Sequence, residues 1–267
     1  MGSSGDKPAQ EAPAAIILAA GKGTRMNSDL PKVCHPVGGR AMVCAVVDAC
    51  LEAGCDKVVA VVGYGRELVE QALSDYGDRV EFALQEKQRG TGDAVNSALP
   101  LFKRDLDRDV FVLAGDGPLI HPETLETLLD EHRAARAAAT LATSVIEDPS
   151  GYGRIVRDAQ GNFVEIVEQK NATPEQLKIH EVNPSYYCFR GRDLVEVVAA
   201  LEENAVSGEV YITDAPAILK GWGRRVVVVD AVPPEDVLSV NTPEQLAEVD
   251  RIYRSRRSRA KAGEGAR

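Results

Sequence analysis

In Ala14-Ala15-Ile16-Ile17-Leu18-Ala19-Ala20-Gly21-Lys22-Gly23-Thr24-Arg25-Met26 an apolar run passes directly into a glycine-rich, cationic turn. Residues 14–19 (AAIILA) show no polar alternation, which is the pattern of a strand covered on both faces. Beyond them, Gly21 and Gly23 let the backbone approach a ligand closely, and consecutive N–H groups can form an anion nest. Lys22, Arg25 and Lys32 then place three cations within eleven residues of a chain whose net charge is −10. That concentration suits a polyanionic ligand; a tight strand-to-helix connection with solvated lysines is the plainer alternative. The spacing is neither a Walker loop nor a dinucleotide fingerprint, because Met26 stands where a third glycine would be and no G-K-[ST] closes a six-residue loop.

Outward from this segment the strand-then-helix rhythm repeats. Lys57–Val62 (KVVAVV), 79–84, Asp109–Ala114 (DVFVLA) and 138–146 read as strands. Residues 40–54, 66–76, 92–102 and 122–136 read as helices, the last opened by Pro122. Such alternation predicts an α/β fold with a doubly wound, mostly parallel, Rossmann-like sheet. Ligands of these sheets bind beyond the carboxyl ends of the strands, which nominates the loops after Ala19, Leu84 and Ala114. Past Pro149 the pattern changes. Gly153–Arg157 and Phe163–Val167 flank a hairpin turn, 182–190 reads as one strand, 193–203 and 214–221 as helices, and 225–229 as a further strand. This half is expected to be a β-rich, substrate-binding extension and not an independent domain. Thr242, Pro243 and Gln245 mark the start of a last helix, with Thr242 as N-cap. The expected division is a disordered leader over 1–13, one domain over 14–242 with halves 14–148 and 149–242, and a C-terminal helix with a basic tail over 243–267.

The bulk properties exclude several classes. With 267 residues, 44% of them apolar and 27% charged, the chain suits a soluble globular protein. It has no apolar stretch near the roughly 18 residues of a membrane span, and its start lacks a signal-peptide core. Five cysteines without a C-x-x-C argue against a disulfide framework or a zinc site and for a cytoplasmic location. Residues 250–267 carry a net +5, so the remainder carries −15. A body that acidic is a poor nucleic-acid binder. The basic tail reads as a solvated, frayed helix end, with RNA, a membrane or another subunit as alternative partners.

Three further constellations lie near the nominated edge. Asp116 in Gly115-Asp116-Gly117-Pro118 ends a buried strand where it could hold Mg²⁺; taken alone, a turn aspartate is the better reading. Gln85 with Gly90-Thr91-Gly92 could bond and pack a nucleobase, or Thr91 could simply cap a helix. Gly153, Glu168, Asn183 and Asn241 lie in the second half among apolar runs, where buried polar groups need partners that a sugar could supply. No Ser or Cys nucleophile is paired with His35, His121, His132 or His180, which fits direct displacement at phosphorus carried by positioning and charge neutralisation.

Together, LAAGKGTRMNSDLPKVCHPVGGRAM, QEKQRGTGDAV, LAGDGPLI, GYGRIVRDAQGNFVEIVEQKNAT and VNTPEQL resemble the bacterial N-acetylglucosamine-1-phosphate uridylyltransferases, the pyrophosphorylase half of a bifunctional enzyme. They occur in the family's order and span roughly residues 14–249. The resemblance implies the nucleotide-diphospho-sugar transferase type of sheet. It also implies transfer of UMP from UTP to N-acetylglucosamine-1-phosphate, with Mg²⁺ as cofactor, in amino-sugar nucleotide synthesis for the cell wall. On that basis Leu18, Ala19, Ala20, Gly21 and Gly23 line the nucleotide, and Arg25 and Lys32 neutralise the triphosphate. Gln85, Gly90 and Thr91 read uracil, and Ala114, Gly115 and Asp116 approach the ribose and metal. Asp116 and Asn241 ligate Mg²⁺. Gly153, Glu168, Asn183 and Asn241 hold the sugar, with Tyr211 and Thr213 touching it or its phosphate. The catalytic set is Arg25, Lys32 and Asp116.

The chain also departs from the family. Cys34 replaces a leucine, Asp93 stands where a histidine is frequent, and Pro184-Ser185 replaces a small-residue–glycine pair after Asn183. The family's left-handed β-helix does not follow Asn241, so neither its acetyltransferase activity nor its trimer contacts are expected. The competing readings are the same chemistry on another sugar phosphate such as glucose-1-phosphate, a non-catalytic nucleotide-sugar sensor, and a partner-binding module acting through the basic tail.

Overall fold

The structure, a computed structural model, describes residues 11–102 and 106–264, with side chains described as far as residue 259. The first half runs β1 (Ala14–Leu18), a hairpin of β2 (Pro36–Val37) and β3 (Arg40–Ala41), α1 (Met42–Glu52), β4 (Lys57–Val62), α2 (Arg66–Ala72), β5 (Val80–Leu84), α3 (Thr91–Ala98), β6 (Asp109–Ala114), α4 (Pro122–Ala135) and β7 (Ala139–Val145). The second half adds β8 (Gly153–Arg157), β9 (Phe163–Val167), β10 (Glu181–Asn183), β11 (Tyr186–Arg190), α5 (Gly191–Val198), α6 (Ala215–Gly221), β12 (Val226–Asp230) and α7 (Pro243–Glu264).

β1 lies between β4 and β6, parallel to both, and β5 extends the parallel part beyond β4. The unbroken apolar character of residues 14–18 has a direct cause. Ala15 and Ile17 enter one core with Val43, Val47, Leu125 and Leu128 of α1 and α4. Ala14 and Ile16 enter the opposite core with Ala94, Val95, Leu194 and Leu219 of α3, α5 and α6. Both faces of the strand are therefore dry, and no position along it tolerates a polar side chain.

The sheet is mostly parallel, as expected, but its second half is woven into it. β11 inserts antiparallel between β6 and β7, so these two consecutive strands are not neighbours. β12 pairs parallel with β7, and β10, β8 and β9 continue the sheet as an antiparallel extension. The single strand expected over 182–190 is two strands, broken at Pro184-Ser185. Pro184 has no N–H to give a ladder, and Ser185 takes a left-handed φ of +64°. At this kink the chain leaves β8 and crosses to β6, which places the extension beside the end of β6. A glycine would adopt the same backbone without penalty.

Other boundaries shift for local reasons. The helix expected over 40–54 starts at Met42, because Arg40 and Ala41 pair with Val37 and Pro36. Those expected over 66–76 and 92–102 each end in a 3-10 turn, Ser74–Arg79 and Leu99–Phe102. The helix expected over 193–203 closes at Val198. The start of α7 is a reciprocal capping box: Gln245 N–H donates to Thr242 Oγ1 (3.3 Å) and Thr242 N–H donates to Gln245 Oε1 (3.2 Å).

The C-terminal helix is docked and not frayed as far as Arg256. Asp250 Oδ1 accepts Gly38 N–H (2.7 Å), Tyr253 packs on Gly38, and Arg256 pairs with the buried Asp236 at 2.5 Å. The expected leader lies outside the described residues over 1–10; the carbonyls of Glu11 and Ala12 accept from Arg133 and Arg108. Residues 265–267 of the expected tail also lie outside the described part. Among the described residues, no helix is long and apolar enough to cross a membrane.

The kink at Ser185 yields a stability test. Ser185→Gly is expected to hold or raise stability by up to about 1 kcal/mol, whereas the β-branched Ser185→Val is expected to lower it by about 1–2 kcal/mol, both read from urea unfolding midpoints.

Candidate active site

The turn after β1 is tied to both neighbouring loops. Ala19 N–H donates to Val61 O (2.9 Å), Tyr64 N–H to Ala20 O (3.1 Å) and Gly115 N–H to Leu18 O (3.0 Å). A Cβ on Gly115 would lie 2.8 Å from Leu18 O, so only glycine permits this approach of the β6 loop. Gly23 has a packing role as well: its φ is +69°, and a Cβ there would meet Lys32 Cβ at 2.6 Å. At Gly21 a Cβ would touch nothing within 4 Å, so packing does not require that glycine and the space beside it is open. Met26 is buried, plugging the turn into the core, which accounts for the missing third glycine.

Beyond this turn four expected residues meet. The Lys32 ammonium pairs with Asp116 Oδ2 and donates to Asn241 Oδ1 at 3.1 Å. Arg25 Nη2 donates to the same Asn241 oxygen at 2.9 Å. The Asn241 amide is fixed, since its Nδ2 donates to Ser239 Oγ (3.1 Å) while its Oδ1 receives the two cations. Its backbone N–H donates to Gln245 Oε1 (2.8 Å), and Val240 N–H donates to Asp116 O (2.9 Å), which links the start of α7 to the β6 loop. Nearby, burial and the Asp116 charge both raise the pKa of Tyr186, which stays a neutral phenol.

A second group lies at the end of β5. The buried Gln85 donates through Nε2 to Gly90 O (3.0 Å) and Asp93 Oδ2 (2.9 Å). Gly90 is held in place by a crossing segment, because a Cβ there would lie 2.4 Å from Val210 O. Thr91 does not cap α3; its Oγ1 accepts Ile212 N–H at 3.0 Å. Gly90 and Thr91 thus stitch this loop to the segment that carries Tyr211 and Thr213.

A third group lies in the extension. Gly153 faces Asn183 across β8 and β10. Asn183 Nδ2 donates to Tyr187 Oη (2.6 Å), and Asn183 Oδ1 accepts Ser185 N–H (3.2 Å). Thr213 Oγ1 donates to Glu168 Oε1 at 3.1 Å. Burial pushes the Glu168 carboxyl above its ordinary range, against the Thr213 bond and Lys170, which pull it down. The Tyr211 hydroxyl donates to Ser207 Oγ (2.7 Å), within its own loop. Asn241, expected at both metal and sugar, lies with the cations and makes no hydrogen bond to this third group.

Sequence reasoning missed several supporting residues. Gln88 donates to Ala20 O at 2.8 Å and brings the two nominated loops together. Tyr152 Oη donates to Val237 O (3.0 Å) and accepts Ser239 N–H (3.2 Å), which ties the Gly153 loop to the segment before Asn241. Gln88 carried a usable signal, being a polar side chain two residues before Gly90; Tyr152 carried none beyond its place next to Gly153.

A family model described as a MobA-like NTP transferase domain matches residues 15–214, three of the four clustered residues among them. The chain belongs to this NTP transferase family. Its relatives include the bifunctional protein GlmU of Geobacillus sp. (strain WCH70), 45% identical over 242 residues, which are 91% of this chain and 52% of that protein. The GlmU proteins of Syntrophomonas wolfei (41% over 245 residues, 92% and 54%) and Geobacter metallireducens (44% over 246 residues, 92% and 51%) are similar. The chain spans about half the length of these curated relatives. Among solved structures, a UDP-glucose pyrophosphorylase complexed with UDP-glucose superposes with a TM-score of 0.71 at 18% identity, covering 92% of this chain and 100% of that one. That likeness shows the nucleotide-sugar transferase fold. The resemblance drawn from the sequence segments and the NTP transferase family thus agree.

Glu168 gives this NTP transferase domain a pH signature. An acid raised by burial binds more protons folded than unfolded, so it lowers stability as pH rises from about 4.5 through the raised value. Glu168→Gln, which keeps the acceptor for Thr213, is expected to melt above the parent at pH 7, with the gap closing toward pH 4 in thermal melts; a constant gap would refute the shift.

Proposed function

We propose that the chain transfers UMP from UTP to N-acetylglucosamine-1-phosphate, giving UDP-N-acetylglucosamine and pyrophosphate. The observation that carries this reading is the meeting of Arg25, Lys32, Asp116 and Asn241 beyond the carboxyl edge of a parallel sheet, next to an open glycine turn. The resemblance to the uridylyltransferases suggests these substrates, and the likeness to the GlmU proteins supports that resemblance.

The reaction needs little acid–base chemistry. An oxygen of the sugar phosphate, already anionic at neutral pH, bonds to the α-phosphorus of UTP while the bond to the leaving pyrophosphate breaks in line. No proton must be removed to make the nucleophile, which suits a site without a nucleophile–base pair. Arg25 and Lys32 hold the triphosphate and neutralise charge that builds on it. The Leu18–Gly21 turn brings backbone N–H groups to the phosphates, Gln85 and the Gly90-Thr91 loop face the base, and Ala114 and Gly115 border the ribose. The group of Gly153, Glu168, Asn183, Tyr211 and Thr213 receives the sugar.

The donor set also fits a magnesium ion. Asp116 Oδ2 and Asn241 Oδ1 converge on one cation, the Lys32 ammonium, so two hard oxygens share a cation-sized position. Two protein oxygens, completed by phosphates and waters, are a usual Mg²⁺ set. When bound, Mg²⁺ shields charge on the α-phosphate and the leaving pyrophosphate. Five unpaired cysteines, four of them buried, support a cytoplasmic setting, where UTP is available.

Coupled pyrophosphate release over several sugar phosphates and NTPs tests the proposal. The expected best pair is UTP with N-acetylglucosamine-1-phosphate; a faster rate with glucose-1-phosphate would overturn the sugar assignment. Asp116→Asn is expected to lower kcat by about 100-fold or more while changing the melting temperature little. Turnover near the parent level would sink the metal assignment.

A further inference from the structure

Asp93, where the resembled family frequently has a histidine, contacts the amide of Gln85 directly. Gln85 presents a carboxamide whose two ends have opposite hydrogen-bonding character. Its NH₂ end faces two acceptors, Gly90 O at 3.0 Å and Asp93 Oδ2 at 2.9 Å. A flipped amide would put its oxygen against both, losing two hydrogen bonds and opposing lone pairs to a carbonyl and a carboxylate. Asp93 is itself held, since Arg89 Nη2 donates to its Oδ1 at 2.7 Å. The Asp93 side chain is only 11% exposed while that of Arg89 is 56% exposed, so the arginine closes the pair from the solvent side. Gln85 Oε1 is thereby locked as the end turned away from Gly90 O and Asp93. Among the described residues no donor meets it, although Gln85 as a whole is only 4% exposed.

We propose that Asp93 is a positioning residue that fixes Gln85 as a hydrogen-bond acceptor toward the base, and so selects a pyrimidine carrying a hydrogen at N3. This rests on the reading that Gln85 faces the nucleobase. Uracil and thymine present N3–H, which an acceptor satisfies. Cytosine presents a bare N3 lone pair at that position, which an acceptor repels. A histidine here would be donor or acceptor according to its tautomer; a carboxylate accepts only. The device therefore makes the orientation of Gln85 independent of a proton on its neighbour.

The isosteric Asp93→Asn releases the lock. Its amide can turn Nδ2 toward Gln85 and accept a flipped orientation, leaving Gly90 O as the sole restraint. Substitution in the first turn of α3 also removes a charge that favours that helix end, so some loss of stability is expected. The ratio of kcat/KM for UTP to kcat/KM for CTP, measured on one preparation, cancels such a loss. In Asp93→Asn that ratio should fall by about fivefold or more, the size of one hydrogen bond. KM for UTP and dTTP should rise together, kcat should stay near the parent value, and CTP use should improve. Arg89→Ala, at an exposed side chain, should shift the ratio in the same direction by less. Equal losses for UTP, dTTP and CTP in both variants would overturn the proposal and leave Asp93 a structural residue. A parent enzyme that does not distinguish UTP from CTP would instead overturn the uridylyl reading beneath it.

Discussion

The Lys32 ammonium, held between the carboxylate of Asp116 and the amide oxygen of Asn241, is the contact on which the architecture of the site turns. It joins three stretches of chain that are far apart in sequence: the loop after β1, the loop after β6 and the start of α7. Two cations, one carboxylate and one amide leave this spot locally positive within a body that is otherwise acidic. Such a spot favours an anion, and the low exposure of Lys32 and Asp116, 18% and 15%, limits the screening that would weaken it. Under the proposed function, a divalent ion would take the place of the ammonium between the two oxygens when substrate enters.

The fold serves this contact at each of the three stretches. The β1–β6 pairing sets the two strand ends level, and the absent side chain of Gly115 lets its backbone close on Leu18. The insertion of β11 beside β6 brings the extension, with Glu168, Asn183 and Thr213, to the same edge as Asp116. The capping box at Thr242 and Gln245 fixes the first turn of α7, and with it the backbone of Asn241. Docking of the same helix through Asp250, Tyr253 and Arg256 holds that end against the domain. The basic tail thus has a packing role where the sequence suggested a solvated face.

Much of the architecture is legible in the sequence, and the reason is physical. Lys57–Val62 and Asp109–Ala114 were legible residue for residue, because strands buried on both faces must be apolar throughout. The capping box of α7 is likewise local chemistry. The insertion of β11 was not legible, since no periodicity reports which distant strand a segment pairs with. The break at Pro184 was hidden inside the apolar and aromatic run Tyr186–Arg190 and its flank. Gly90 and Thr91 looked like ligand groups in sequence; in the structure they also bond or abut Val210 and Ile212, partners more than a hundred residues away. The role of Asp93 is equally invisible in one dimension, because it depends on which end of the Gln85 amide meets it.

Asp116 and Asn241 share one cation position next to the glycine turn, filled here by the Lys32 ammonium. A crystal structure with UDP-N-acetylglucosamine and Mg²⁺ bound tests it most directly. The expected result is a metal at about 2.1 Å from an oxygen of each residue, with the Lys32 ammonium shifted onto a phosphate. A metal bound elsewhere, or Lys32 still seated between the two oxygens with the product in place, would contradict it.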